Sequence, residues 1–141
     1  IGQDLKGKKI AVLGAAFKPD SDDVRDSPAL DIAVQLAAAG ADVNVHDPKA
    51  IEAARRRFPQ LTYSTSIDDC VSGSDVLLHL TEWKIYREID PVATKSKVRQ
   101  AIVIDGRNAL DRERWISAGW KFRALERWIS AGWKFRALGR S

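Results

Sequence analysis

The sequence predicts a doubly wound α/β fold of the Rossmann-like type, a three-layer αβα sandwich around a mainly parallel sheet of about six strands. Short apolar runs that suit buried strands alternate along the chain with stretches of helical periodicity. The length of 141 residues, 45% of them hydrophobic, suits one domain with one core. Strands joined through helices need right-handed crossovers, so we expect parallel strands with both sheet faces covered.

The first strand and the first helix have clear boundaries in the sequence. Residues 8–14 form a short, mostly apolar run that ends in Gly14, which is typical of a buried parallel strand. Ser27 and Pro28 then provide a helix N-cap followed by proline at the first helical position. Apolar residues at helical spacing continue to Gly40, where we expect this helix to end.

The same alternation continues through the rest of the chain. Further strands are predicted at 41–45, 61–63, 75–80 and 101–104, and a last one begins at Trp120. Helices are predicted after the turn at 46–48, after Ser66, at 83–89, after Asp90 and after Asp111. Ser66 and Asp69 resemble a capping box, and Asp111 can cap the helix that follows it.

Two identical copies of the segment ERWISAGWKFRAL stand in tandem at 113–125 and 126–138. Natural solenoid repeats diverge, are longer and number three or more, so the pattern indicates a recent or an engineered duplication. Each copy predicts a helix, a glycine stop at Gly119 or Gly132, and a strand. Only one copy can fill the single native position. The other would offer a surplus strand for edge pairing, and a homo-oligomer through the duplicated strand is the resulting hypothesis.

Charge and hydropathy argue against two classes of function. The net charge is +4, but removing one repeat copy, with its three basic residues and one acid, lowers it to +2, and we expect no nucleic-acid partner. No run of 18 apolar residues occurs, so we expect no membrane-spanning helix. The chain begins at Ile1 without a signal sequence, which indicates a piece excised from a longer protein.

Cys70 is the only cysteine of the chain. A single thiol cannot form an internal disulfide and favours a reducing, cytoplasmic setting. Its neighbours Asp68 and Asp69 would raise the pKa of the thiol rather than lower it. We therefore interpret Cys70 as a structural residue and not as a nucleophile.

Three cations lie on segments that follow predicted strands, namely Lys18, Arg25 and Arg107. Ligands of doubly wound folds bind outside the carboxyl ends of the strands, at the point where the strand order reverses. Cations gathered at that edge indicate an anionic ligand, and a diphosphate fits because Arg binds phosphate oxygens bidentately. The first turn is not a dinucleotide fingerprint, since Gly14 is followed by Ala15 rather than by further glycines.

Other polar and aromatic residues near the predicted strand ends favour structural interpretations. Asp47 could mimic the ribose-binding acid of NAD folds, but we favour a cap for a helix that begins at Pro48. His46 and His79 are interpreted as structural residues as well. Trp83 either lines a ligand cleft or closes its rim, and the sequence does not separate these alternatives.

A cluster of acids and a run of arginines also favour ordinary roles. Asp20, Asp22 and Asp23 lack the glycine and the terminal glutamate of a calcium loop, so we expect no metal site there. We interpret these acids as turn residues or as partners for nearby cations. Arg55–Arg57 is interpreted as the solvent-facing side of a helix.

Four motifs occur in a fixed order along the chain: GKKIAVLGAAFKPDSDDVRDSPA at 7–29, HDP at 46–48, LTEW at 80–83 and DGRN at 105–108. Together they resemble the UDP-binding, C-terminal domain of the UDP-glucose/GDP-mannose dehydrogenase family. The resemblance covers residues 5–125 and the closing Gly139-Arg140. The Thr-Glu-Trp segment resembles the UDP-glucose branch of that family.

The resemblance implies a function for the whole enzyme and roles for single residues. Such an enzyme oxidises the C6 alcohol of UDP-glucose to the carboxylate with NAD, and its product is a precursor for polysaccharide synthesis. Phe17 and Lys18 match positions that contact the UDP-sugar, and Arg107 matches a substrate-binding arginine. Arg25 matches a residue that reaches across the interdomain cleft towards NAD.

The resemblance also implies that major parts of the enzyme lie elsewhere. The family's NAD-binding domain, central dimer helix and catalytic cysteine match nothing in this sequence, and Cys70 does not match that nucleophile. We therefore expect this piece to bind UDP or UDP-glucose at most, without catalysis or NAD, and to need the rest of the dehydrogenase chain as a partner. Two alternatives stay open, a free-standing nucleotide- or CoA-binding module and a duplicated chain made for folding or assembly.

Overall fold

The computed structural model describes residues 5–16, 18 and 20–124. The strands are β1 (Lys9–Leu13), β2 (Asp42–His46), β3 (Thr62–Tyr63), β4 (Val76–His79), β5 (Ile102–Asp105) and β6 (Lys121–Ala124). The helices are α1 (Pro28–Ala38), α2 (Ile51–Arg57), α3 (Ile67–Val71), α4 (Lys84–Arg87), α5 (Pro91–Lys95) and α6 (Arg112–Ser117). The predicted strands and helices are all present, although α2 begins later than predicted.

The strands form a six-stranded sheet in the order β3-β2-β1-β4-β5-β6, and every described pair is parallel. The chain runs outwards from β1 to β3 and then returns to place β4 against the other side of β1. The strand order therefore reverses between β1 and β4, which is the switch point at which doubly wound folds bind ligands. The predicted Rossmann-like fold is confirmed.

The hydrophobic core lies on both faces of the sheet. Consecutive residues of β1 belong to opposite clusters, with Ile10 and Val12 on one face and Ala11 and Leu13 on the other. The first cluster includes the buried side of α1, and the second includes residues of α3, α4 and α6. Burial on both faces explains why β1, β4 and β5 are nearly continuous apolar runs, whereas β2 and the edge strand β6 alternate apolar and polar residues.

Side-chain caps fix the beginnings of several helices. Ser27 Oγ accepts a hydrogen bond from the amide of Leu30 at 3.3 Å, and Pro28 occupies the first helical position. Ser66 and Asp111 cap α3 and α6 in the same way, so the caps predicted at Ser27, Ser66 and Asp111 are confirmed. The longest described helix, α1, has 11 residues, and no helix in the described part of the chain is long and apolar enough to cross a membrane.

The first copy of the repeated segment forms α6 and β6 at one edge of the sheet. Trp115 and Trp120 are 2% and 3% exposed, and their rings meet edge to face with centroids 4.8 Å apart. Trp120 Nε1 also donates to the carbonyl of Pro91 at 2.8 Å. This copy therefore has a fixed place in the second cluster, whereas the second copy, 126–138, lies outside the described residues.

Cys70 has the structural role that its surroundings in the sequence predicted. The side chain is buried, and its Sγ lies 3.3 Å from the carbonyl oxygen of Asn44. Burial raises the pKa of the thiol to about 12. The cause is desolvation rather than the adjacent acids, and a thiol held protonated in this way is a poor nucleophile.

Candidate functional site at the carboxyl edge of the sheet

The loops that leave the carboxyl ends of β1, β2, β4 and β5 share one edge of the sheet because all these strands are parallel. The loop after β1 runs from Gly14 to Ser27 and contains Lys18 and Arg25. The loop after β5 contains Arg107. The predicted placement of the three cations on one sheet edge is therefore consistent with the topology, while their ligand roles stay predictions.

The first loop lies directly against the loop after β4. Gly14 has a φ of +112°, and a Cβ at this position would lie 2.4 Å from Cβ and Oγ1 of Thr81. Thr81 Oγ1 donates to the carbonyl of Ala16 at 2.9 Å. Gly14 is therefore needed for the close approach of two loops of the protein itself, and the space next to it at the switch point is filled.

Asp47 connects three of these loops through one buried carboxylate. Its Oδ2 accepts hydrogen bonds from the amides of Ala15 and Ala16 at 2.8 and 3.1 Å and from Trp83 Nε1 at 3.2 Å. Its Oδ1 accepts from the amides of Lys49 and Ala50 at 2.9 and 2.8 Å. Asp47 is only 2% exposed. With its oxygens occupied in this way, the carboxylate is not available to a ribose.

The prediction that Asp47 caps a helix beginning at Pro48 is wrong in detail. The helix α2 begins at Ile51, its N-cap is Ala50, and Asp47 instead braces the turn before it. The open question about Trp83 is also resolved, because this side chain is 6% exposed and its indole donates to Asp47. Trp83 closes the rim and does not line an open cleft.

Arg107 lies on a loop that a second buried carboxylate holds. Asp105 Oδ1 accepts from the amide of Arg107 at 3.0 Å, and Oδ2 accepts from the amides of Ala109 and Leu110 at 2.8 Å each. The Arg107 guanidinium forms an ion pair with Glu82 at 3.0 Å, and the two side chains are 30% and 35% exposed. The arginine is thus oriented by the protein and still reaches solvent.

His79 supports Asp105 from inside the sheet. Its Nδ1 lies 2.9 Å from Asp105 Oδ1, and both side chains are buried. Burial alone would raise the pKa of the Asp105 carboxyl, but the hydrogen bonds from His79 and from the loop amides outweigh it and hold this pKa below its ordinary value. Because Asp105 is ionised, Nδ1 of His79 is the donor. The structural interpretation of His79 agrees with the contact of its Nδ1, whereas its buried Nε2 has no hydrogen-bond partner among the described residues.

His46 is likewise a structural residue. Its Nδ1 lies 2.8 Å from the hydroxyl oxygen of Tyr86, and that hydroxyl donates to the carbonyl of His46 at 3.0 Å. Burial lowers the pKa of His46, against the smaller opposing effect of Asp47. His46 is 4% exposed, so its ring packs against Tyr86 and is closed to a ligand from solvent.

Of the other residues predicted to bind ligand, Lys18 and Arg25 are exposed at the surface of the first loop. Arg25 Nε pairs with Asp23 Oδ1 at 3.2 Å, and its side chain is 80% exposed. Phe17 lies outside the described residues. Of the acids of this loop, Asp23 is the partner of Arg25, and the described residues contain no group of three or more acids, histidines or cysteines that could hold a metal.

The arginines of α2 face solvent as predicted. Arg55 pairs with Glu52 at 2.5 Å and lies 5.6 Å from the centroid of the Tyr63 ring. These contacts stay on the outer surface of α2. They give no support to a nucleic-acid site.

A profile of the UDP-glucose/GDP-mannose dehydrogenase family, UDP binding domain, matches residues 11–112. The chain belongs to this family. The matched range begins in β1 and ends at the start of α6, so it contains all four loops of the candidate edge. The resemblance inferred from the motifs is confirmed.

Individual UDP-glucose/GDP-mannose dehydrogenases agree with this assignment. The UDP-glucose 6-dehydrogenase TuaD of Bacillus subtilis is 40% identical over 122 residues, which are 86% of this chain and 26% of that protein. The UDP-glucose 6-dehydrogenase AglM of Haloferax volcanii is 43% identical over 109 residues, which are 77% of this chain and 25% of that protein. The chain thus spans about a quarter of the length of these relatives, as expected for one domain of a larger enzyme.

Solved structures of the family share the fold. A UDP-glucose dehydrogenase from Pyrobaculum islandicum superimposes with a TM-score of 0.71 at 32% identity, over 85% of this chain and 26% of that chain. An NDP-N-acetyl-D-galactosaminuronic acid dehydrogenase from Methanosarcina mazei superimposes with a TM-score of 0.76 at 29% identity, over 86% of this chain and 25% of that chain. These two structural relatives are named for different sugars.

The sequence pointed to candidate cations at this edge but did not reveal the residues that hold their loops. Asp47 and Thr81 clamp the first loop, and Asp105 holds the loop of Arg107. The available signal was positional, because Asp47 and Asp105 each stand at or just after the end of a parallel strand. Their partners are mostly backbone amides, which a side-chain pattern does not reveal.

Proposed function

We propose that this chain is the substrate-binding part of an NAD-dependent UDP-glucose 6-dehydrogenase and binds the diphosphate of UDP-glucose through Lys18 and Arg107. The observation that carries the proposal is the loop after β5, where Asp105 fixes the backbone and leaves the Arg107 guanidinium partly exposed. A preorganised guanidinium binds phosphate oxygens in two parallel hydrogen bonds. Phe17, which precedes Lys18, is proposed to contact the same ligand.

The whole enzyme would oxidise the C6 alcohol of the sugar to a carboxylate with NAD, a reaction that supplies a precursor for polysaccharides. Thr81 lies close beside Gly14 at the switch point, and the Asp47 carboxylate already accepts from amides and an indole, which supports a site for NAD outside this domain. NAD would therefore bind to the remainder of the dehydrogenase chain. Arg25, exposed on the first loop, is proposed to reach towards that cofactor.

The chain alone is proposed to bind substrate without converting it. Oxidation needs a cofactor and a nucleophile placed around the same carbon atom. Cys70 does not meet that need, because it is buried and the pKa of its thiol is raised to about 12. A free thiol in the protein suits the cytoplasm, where we propose that the enzyme works.

The test is a titration of the isotope-labelled chain with UDP and with UDP-glucose, followed by amide chemical shifts. We expect the largest shifts at Lys18 and at Arg107, and weak binding, because a cleft between domains needs both of its walls. NAD and coenzyme A serve as controls and should leave these amides unchanged. Silence of the amides at millimolar UDP would refute the proposal, and a preference for coenzyme A would favour a free-standing nucleotide-binding module.

A further inference from the structure

We propose that Asp47 and Thr81 are positioning residues, which clamp residues 15 and 16 so that Lys18 and Arg107 face one diphosphate. This inference rests on the proposed function, since it assigns the two residues a task in the same site. It also makes a claim of its own, that the order of the first loop depends on these two side chains.

The clamp is visible in the backbone bonds of Ala15 and Ala16. Both amides donate to Asp47 Oδ2, at 2.8 and 3.1 Å. The carbonyl of Ala15 accepts from Ser27 Oγ at 2.7 Å, and the carbonyl of Ala16 accepts from Thr81 Oγ1 at 2.9 Å. Both amides and both carbonyls of this buried dipeptide are thus hydrogen-bonded to side chains. In a strand, the same groups would bond to the backbone of the neighbouring strand.

The position of the clamp in the chain links it to both cations. Ala16 is two residues before Lys18, and its backbone is held at both its amide and its carbonyl. Thr81 is followed by Glu82, whose carboxylate pairs with Arg107 at 3.0 Å. One short path of contacts therefore runs from the first loop through residues 81 and 82 to Arg107.

Without the clamp, the first loop is expected to leave its present conformation. Buried amides and carbonyls without partners cost free energy, so Ala15 and Ala16 would turn towards water if Asp47 or Thr81 were lost. Lys18 would then sample many positions, and a ligand would have to order the loop on binding. The expected result is weaker binding of the diphosphate in a domain that is still folded.

The experiment compares Asp47→Asn with a matched control, Asp75→Asn. Asp75 is also a buried carboxylate, 0% exposed, but it lies at the amino edge of the sheet and accepts from Lys9 N at 2.9 Å. UDP affinity is measured by calorimetry at a temperature at which both variants are folded. We expect roughly tenfold weaker binding for Asp47→Asn, and the affinity of the original chain for Asp75→Asn. Equal losses in both variants, or no loss in Asp47→Asn, would overturn the proposal.

A second pair of variants covers the case in which Asp47→Asn does not fold. Thr81→Val keeps the shape of the side chain and removes the hydroxyl, whereas Thr81→Ser keeps the hydroxyl. Binding of UDP should weaken in Thr81→Val and be restored in Thr81→Ser. Unchanged binding in Thr81→Val, or a loss in Thr81→Ser alone, would mean that the packing of Thr81 against Gly14 matters and the hydrogen bond does not, which contradicts the clamp.

The clamp and the proposed function fail in different ways. If the original chain does not bind UDP, the proposed function is wrong, and the clamp is judged by amide hydrogen exchange alone. Faster exchange at residues 15, 16 and 18 in Thr81→Val, but not in Thr81→Ser, supports the clamp. Unchanged exchange at these amides in Thr81→Val overturns it.

Discussion

At the amino edge of the sheet the buried Asp75 accepts hydrogen bonds mainly from side chains, whereas at the carboxyl edge Asp47 and Asp105 accept mostly from backbone amides of loops. The Asp75 carboxylate binds the guanidinium of Arg99, the side-chain amide of Gln100 and one amide, that of Lys9. At the amino edge the charge of Arg99 is thus neutralised by a carboxylate of the protein itself.

At the carboxyl edge the carboxylates shape loops instead. Asp47 holds the loop that carries Lys18, and Asp105 holds the loop that carries Arg107. Lys18 is exposed, and Arg107 stays partly exposed beside Glu82. The difference teaches that buried carboxylates of a doubly wound domain can bind an arginine side chain at one edge and hold the backbone of loops at the other.

The largest expected effect concerns the amino edge. Asp75→Asn should lower the free energy of unfolding by about 3 kcal/mol, because a buried carboxylate with several donors is replaced by a neutral amide. Chemical denaturation gives the value. The control is Asp68→Asn, whose carboxylate pairs with Lys97 at 2.7 Å but is 70% exposed, and which should cost no more than about 0.5 kcal/mol. Equal costs for the two variants would remove the contrast between buried and exposed carboxylates.

The next effect concerns the carboxyl edge. Arg107→Ala should weaken UDP binding about 30-fold, or about 2 kcal/mol, because a charge-assisted bidentate contact is lost, while stability changes little. Calorimetric titration measures the affinity. Arg56→Ala, on the exposed surface of α2, is the control and should bind as the original chain does. If both variants bind UDP equally well, Arg107 is not part of the site.

A smaller effect is expected from pH. The Arg99 guanidinium beside Asp75 holds the pKa of that carboxyl well below its ordinary value, against the opposing effect of burial. The stability from this contact is therefore fully present above the unfolded pKa of about 3.9 and is lost as the pH falls towards the folded pKa. Urea unfolding from neutral to acid pH should show a steeper loss in the original chain than in Asp75→Asn. Parallel curves would contradict the assignment.

The fold could be predicted in detail because its signals are local. Ser27 followed by Pro28 defines the start of α1, and apolar runs on a sheet buried on both faces define the strands. The edge at which Lys18 and Arg107 lie followed from the parallel topology alone. These inferences need only neighbours in sequence and one general rule of architecture.

The hydrogen bonds between the loops of the carboxyl edge could not be predicted in the same way. The carboxylate of Asp47 reaches amides 31 and 32 residues earlier in the chain, and Trp83 reaches Asp47 across 36 residues. Such contacts depend on how the loops fold over the strand ends, and alanines at positions 15 and 16 carry no sign of them. The cap assigned to Asp47 was wrong for a local reason, because α2 begins at Ile51 and the amides of Lys49 and Ala50 that Asp47 accepts from belong to the preceding turn.

The smallest change in stability and in UDP affinity should come from deleting residues 126–138. All hydrogen bonds described for Asp47, Asp75 and Asp105 involve residues before 111, and the first copy already forms α6 and β6. The deletion should therefore change the free energy of unfolding by less than about 0.5 kcal/mol and leave UDP affinity unchanged.

The same deletion tests the proposal that the duplicated strand joins chains. The segment 134–137 repeats the sequence of β6, and no described strand pairs with the outer edge of β6, where a strand from another copy of the chain is proposed to add. Light scattering should then show association of the full chain that increases with concentration and a monomer after the deletion. A strict monomer of the full chain at high concentration would rule out association through the duplicated strand.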